Sequence, residues 1–232
     1  MIELAVFDMA GTTVDDHGQV YVALQEAVEE TGAPVAPADL QQWMGADKVA
    51  AITALMSLGG QEPTPVTVAA AFRRFREILA ARYAALPPVA LPGAREAIAE
   101  LRSRGIKVAL TTGFDDDVAY PLLDSLGWVV GSGAGATVDA VVTTSEVAAG
   151  RPAPFMIHRA MEKAGVHDVR NVLAAGDTAV DVQAGRNAGV ISVGVLSGKL
   201  GREQLAAQPY DYILEGVRDV PGLAETRLSV SS

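Results

Sequence analysis

Short apolar runs and amphipathic stretches alternate along most of this chain, and one long segment contains only the second kind. Residues 2–7 read Ile-Glu-Leu-Ala-Val-Phe and stop at Asp8. A brief, largely apolar run of this sort predicts a buried strand. Gly11 and Thr12 then open a turn. From about Val20 to Gly32 the apolar residues Val20, Leu24, Ala27 and Val28 recur at helical spacing, and two more helices are predicted from about Lys48 to Leu58 and from Val66 to Leu86. The span 18–86 thus reads as helices without a clear strand. Gly18 at one end, and Pro87-Pro88 with Pro92-Gly93 at the other, suit hinge linkers.

Beyond residue 93 the pattern alternates. Helices over 94–104, about 115–126, Ala153–Ala164 and 181–188 each lead to a short apolar run: Ile106–Leu110, Ala140–Val142, Asn171–Ala175 and Ile191–Val195. This predicts an α/β fold: a doubly wound parallel sheet with helices on both faces. The core is expected to comprise residues 1–17 and 87–232, with 18–86 inserted after the first strand as an α-helical cap domain. Ser132-Gly133-Ala134-Gly135 reads as a flexible loop and 224–232 as a frayed tail.

Composition narrows the function classes. Half of the 232 residues are hydrophobic and 20% are charged, an ordinary globular balance. The net charge of −10 argues against nonspecific nucleic-acid or anionic-membrane binding, which needs basic surface. No apolar run approaches the roughly 18 residues of a membrane helix. Met1-Ile2-Glu3-Leu4 carries no basic leader region, and there is no cysteine, so a cytoplasmic enzyme without disulfides or thiolate chemistry is expected. A small anionic ligand remains compatible with the acidic chain, because a metal, a helix N-terminus or one lysine can reverse the field inside a pocket. A homodimer is left open.

Ligands of open parallel sheets bind outside the carboxyl ends of the strands, so the residues just past each predicted strand matter most. They are Asp8-Met9-Ala10-Gly11-Thr12-Thr13, Thr111-Thr112-Gly113, then, after a loop, Gly150-Arg151-Pro152-Ala153-Pro154, and Gly176-Asp177-Thr178-Ala179-Val180-Asp181. A carboxylate, a hydroxyl, a cation and a carboxylate pair converge. That set suits phosphoryl transfer through a carboxylate nucleophile, Asp8, with Mg2+ neutralising charge. Magnesium takes oxygen ligands and few from protein. Asp8 and Asp177 can supply two, with Asp181 beside them and a backbone carbonyl, at Ala10, and waters completing the shell. Thr112 and Arg151 can hold phosphate oxygens, and glycines such as Gly113 let backbone amides approach the anion. Each residue also has a plain structural reading: Asp8 as a turn former, Thr112 as a helix cap, Arg151 as a salt-bridged surface cation, Asp177 and Asp181 as a cap and a first-turn acid. His17, His158 and His167 have no ligand spacing and read as structural.

In order and spacing the four segments resemble the four motifs of the haloacid dehalogenase (HAD) superfamily, over residues 4–195. The resemblance implies a HAD-like Rossmannoid core, with Asp8 as nucleophile, Thr112 as the second-motif hydroxyl, Arg151 as the third-motif cation, and Asp177 with Asp181 as metal acids. Within that superfamily the chain is similar to the phosphonatase-like group. Ala10 stands where HAD phosphatases place a second aspartate, and Gly150-Arg151-Pro152 stands where most relatives have Gly-Lys-Pro. Met44-Gly45-Ala46-Asp47-Lys48 resembles the cap segment whose lysine forms an imine with the substrate aldehyde. By resemblance Lys48 is catalytic and Met44 and Gly45 line the substrate pocket. The histidine that the family carries three positions after the lysine is Ala51 here. Expected partners are small phosphorylated or phosphonate metabolites. A phosphomonoesterase acting on a small acid such as phosphoglycolate, and a non-catalytic binding protein of the same fold, are the rival readings.

Overall fold

The computed structural model describes residues 1–229, with side chains to Ala224. In chain order it contains β1 (Leu4–Asp8), β2 (Val14–Asp15), α1 (Gln19–Glu29), α2 (Pro37–Gln42), α3 (Lys48–Leu58), α4 (Pro65–Ala85) and β3 (Val89–Ala90). There follow α5 (Ala94–Ser103), β4 (Lys107–Thr111), α6 (Asp116–Ser125), β5 (Ala140–Val142), α7 (Phe155–Ala164), β6 (Val172–Gly176), α8 (Ala179–Ala188) and β7 (Ile191–Val195). The chain closes with α9 (Arg202–Ala206), β8 (Tyr212–Leu214) and α10 (Val220–Ser229).

The main sheet has six strands in the order β5-β4-β1-β6-β7-β8, and every pairing is parallel. From central β1 the chain winds out through β4 and β5, then returns to the other side through β6, β7 and β8. This is the doubly wound arrangement, and its switch point lies at the carboxyl end of β1. Alternation along β1 serves both faces: Ala5 and Phe7 join the core under α5, α6 and α10, whereas Leu4 and Val6 join the one under α7 and α8. Burial on both sides explains why the strand shows no polar alternation.

The insertion is helical throughout. Val20, Leu24, Ala27 and Val28 of α1, Ile52 and Leu55 of α3, and Phe75 and Leu79 of α4 form its interior, which runs on into the core of the sheet. Arg74 pairs with Glu30 (2.7 Å), and Arg82 pairs with Glu26, tying α4 to α1. The two linkers are not free: β2 and β3 pair antiparallel through Val14–Ala90 and Asp15–Val89. Three short elements, α2, α9 and β8, arise outside the strong apolar periodicity. The frayed tail expected over 224–232 is corrected in part: helix α10 runs to Ser229, its start anchored by buried Val220 and Ala224, and 230–232 lie outside the described residues.

Candidate active site

Strand register brings the chemistry together. Asp8 ends β1 level with Thr111 of β4, so Thr112 and Gly113 stand one step past it. On the other side Phe7 pairs with Ala175 of β6, which puts Gly176 level with Asp8 and Asp177 just beyond it. Asp8, Asp177 and Asp181 each offer a carboxylate oxygen, and these oxygens lie within 4.8 Å of one another. All three side chains are buried.

Local hydrogen bonds hold each acid. The turn after β1 folds back on itself: Thr13 Oγ1 donates to the Asp8 carbonyl (2.9 Å), and Thr12 Oγ1 donates to Asp177 Oδ1 (2.8 Å). Gly11 has φ +94°, and a Cβ there would sit 2.5 Å from an Asp177 carboxylate oxygen, so only glycine lets the backbone pass so close. Asp181 accepts from the Thr178 amide (3.0 Å) and from its hydroxyl, completing a capping box at the start of α8. The first-turn structural reading of Asp181 is therefore correct, and its other oxygen still faces Arg151.

Arg151 links the acids. Its Nη2 lies 2.7 Å from Asp8 Oδ1, and Nη1 pairs with Asp181. The guanidinium is buried, not the surface cation of the plain reading. Its Nε and Nη2 are buried without a well-directed hydrogen-bond partner among the described residues. The unpartnered Nε in such a place suits an incoming anion, whereas Nη2 is already paired with Asp8.

Burial dominates the electrostatics. Burial pushes the Asp8 carboxyl up to about 6, Arg151 pulls it back, and Asp181 adds to the rise. Asp177 is raised well above the usual carboxylate range, first by burial and then by Asp8 and Asp181. Burial disfavours the charge on Arg151, but Asp181 and Asp8 outweigh it and hold the group protonated. Three clustered carboxylates faced by one guanidinium form an all-oxygen donor set with excess negative charge. That fits a hard divalent cation such as Mg2+.

The insertion meets this site through the loop between α2 and α3. A Cβ on Gly113 would lie 2.6 Å from the Ala46 carbonyl, and one on Gly150 would lie 3.1 Å from Asp47 Cβ. Gly45, at φ +76°, sits where a side chain would strike Thr178 Oγ1. Met44 beside it is half-buried. Lys48 is buried, donates from Nζ to the Ala46 carbonyl (2.9 Å), and lies over the Phe114 ring at 5.4 Å. Burial lowers its ammonium to about 8; Arg151 acts in the same direction, and Asp8, Asp47 and Asp16 oppose it. Lys48 is therefore not the solvated lysine that an isolated helix start would give. Asp47 caps α3 by accepting from the Ala50 amide (2.8 Å), and Ala51 is fully buried in the insertion's interior.

Some expected residues are placed less directly. Thr112 is buried, and its Oγ1 accepts from the Phe114 amide (3.2 Å), so here it also holds the turn. Ala10 is partly buried and lines a cavity with Asp177. His17, exposed at the hinge, stays beside Asp15 (3.5 Å). Thr12, Thr178, Phe114 and Tyr21 were not singled out from the sequence. Only Thr178 carried a readable signal, the Thr-x-x-Asp spacing of a capping box.

Comparison with known proteins agrees with this geometry. Residues 2–189 match the model of the haloacid dehalogenase-like hydrolases. A phosphonoacetaldehyde hydrolase of Bacillus cereus is 32% identical over 231 residues, covering 91% of this chain and 83% of the relative. A hydrolase from Pseudomonas syringae superposes with TM-score 0.83 at 23% identity, covering 96% and 98% of the two chains. A phosphonoacetaldehyde hydrolase-like protein from Oleispira antarctica gives 0.81 at 23% identity, covering 100% and 95%. With its sheet, its strand-end residues and these relatives in agreement, the chain belongs to the haloacid dehalogenase-like hydrolase family.

Proposed function

We propose that this hydrolase is a magnesium-dependent phosphonatase-like enzyme that cleaves the C–P bond of a small aldehyde-bearing phosphonate such as phosphonoacetaldehyde. The observation that carries the reading is Lys48: a buried amine lowered to about 8, held over Phe114 and in the fields of Arg151 and Asp8, in a chain whose position 10 is alanine. Asp8, Asp177 and Asp181, with the Ala10 carbonyl, would hold the cation, which when bound offsets the charge of the transferring phosphoryl group. Residues 18–86 serve as the cap over a core of 1–17 and 87–232.

In this reading the neutral Lys48 amine adds to the aldehyde and, with uptake of one proton, loses water to give a protonated imine. Asp8 Oδ attacks phosphorus, the C–P bond breaks, and its electron pair moves into the protonated imine, leaving a neutral enamine. Arg151, Thr112 and the Gly113 amide bind the phosphoryl oxygens, while Met44 and Gly45 shape the pocket. Water then hydrolyses the aspartyl phosphate, and protonation and hydrolysis of the enamine free Lys48. Ala10 supports this route, because an ordinary phosphomonoesterase would forgo acid–base help of roughly 10²–10⁴ in rate. The chain's likeness to phosphonoacetaldehyde hydrolases over most of its length points the same way.

The test is magnesium-dependent phosphate release from a panel of phosphonoacetaldehyde and small phosphate esters, with Lys48→Arg alongside. Phosphonoacetaldehyde should be the best substrate, borohydride should trap it on Lys48, and Lys48→Arg should abolish both. A Lys48→Arg enzyme that hydrolyses its best substrate at the parent rate would make the phosphomonoesterase reading the better one.

A further inference from the structure

A second approach, at the hinge, reaches one of the three acids, Asp177. A cavity of about 240 Å³ is lined by Ala10, Asp177, His17 and Lys199, among others. Asp177 is 4% exposed, whereas His17 and Lys199 are exposed, so the cavity leads from solvent inward to a metal acid. The catalytic face, by contrast, is shut. Asp8, Lys48, Thr112, Arg151 and Asp177 are each less than a tenth exposed, and the 45–47 loop sits directly against Gly113, Gly150 and Thr178.

We propose that this cavity is a hinge-side port through which water and a divalent cation reach Asp8, Asp177 and Asp181 while the cap stays closed. The inference rests on the reading that these acids hold a cation. Carboxylates outnumber the single lysine along the port, with Asp15, Asp16 and Asp177 against Lys199, so the field favours a cation over an anion. Asp15 and Asp16 do not trap it there. Asp16 accepts from the Gly18 amide (3.0 Å), the Val20 amide (2.9 Å) and Tyr83 (3.3 Å), and Asp15 accepts from the His17 amide (2.8 Å). Tyr21 also lines the cavity. Hydration and metal exchange would then not require the cap to release substrate.

Locking the cap tests this. The chain has no cysteine, and Asp47 Cβ lies 3.1 Å from where a Gly150 Cβ would be, a few tenths of an ångström inside the usual disulfide spacing of about 3.5–4.5 Å. In the Asp47→Cys/Gly150→Cys protein, Mn2+ association is followed by stopped-flow mixing and by electron paramagnetic resonance, in the oxidised and reduced forms. The port requires equal association rates, within about two-fold, in the two forms. Lys199→Trp, at the exposed mouth, should slow loading of the oxidised form at least tenfold. Uptake at least tenfold slower on oxidation would overturn the port alone, and no Mn2+ binding in either form would overturn the metal reading as well. Lys199→Glu in the otherwise native chain is an independent check. It should speed Mn2+ association several-fold, more at low ionic strength, and an unchanged rate counts against the port.

Discussion

Asp8 is buried beside two other carboxylates and kept usable by Arg151, which lowers its pKa against the effect of burial. Asparagine keeps the shape and would remove the nucleophile of the proposed covalent route. Asp8→Asn should therefore cut phosphate release by about 10⁴-fold or more, with an unaltered circular-dichroism spectrum; near-parent turnover would rule out the covalent route. Lys48 makes a pH prediction. On the proposed imine route its neutral form is the nucleophile, and burial and Arg151 bring its folded value to about 8, against about 10.4 for free lysine. Borohydride trapping should rise with pH and level off just above 8. The stability sign follows: between about 8 and 10.4 the unfolded chain holds the lysine proton and the folded one does not, so this group's contribution to stability increases with pH across that window. A trapping rate still climbing at pH 10 would place the amine in ordinary solvent.

Among the elements, α8 carries two duties at its first turn. The Thr178–Asp181 capping box satisfies the helix start and also aims Asp181 at Arg151. Loss of such a cap typically costs about 1 kcal/mol, or roughly 2–4 °C for a chain of this size. Thr178→Ala should lower Tm by that amount in a thermal melt. It should also raise the Mg2+ concentration needed for half-maximal activity, since Asp181 loses the hydroxyl that helps to hold it. A change in Tm without a change in Mg2+ requirement would mean that the cap is structural only. At the insertion's root, β2 and β3 tie the two linkers together, and Arg76 of α4 reaches Asp115 (3.2 Å) and Asp117 at the start of α6. The insertion is thus braced on the core from both its hinge and its longest helix.

At the scale of the whole molecule, the proposed chemistry requires the insertion to sit close on the sheet. Gly45 permits that approach, since any side chain would strike Thr178 and its φ of +76° is unfavourable for other residues. Gly45→Ala should hold the loop off the core and misplace Lys48. Misplacement by about 1 Å can cost on the order of 10²-fold, so kcat/KM should fall by about that much. The radius of gyration from X-ray scattering should increase slightly, and Tm should change little. Unchanged kcat/KM would show that the close fit of the 45–47 loop is not needed for turnover.

The order of elements and the set of acids were legible from the chain alone because both have local causes. The run ending at Asp8 and the helical spacing over 20–32, 48–58 and 66–86 record burial directly, and four strand-end motifs in order leave few alternatives. Elements with little to bury were not legible. Helix α2 has no buried residue, β8 is three half-buried residues long, and β2 and β3 are two residues each. Tertiary structure alone decided which distant groups meet. Thr12 and Asp177 are 165 positions apart, Lys48 reaches the Phe114 ring only because the insertion folds back over β4, and the hinge-side cavity exists between segments with no pattern in common. A local pattern encodes which face of an element is apolar, whereas a site assembled across a doubly wound sheet depends on strand order and on the pose of an insertion, which no single stretch of sequence carries.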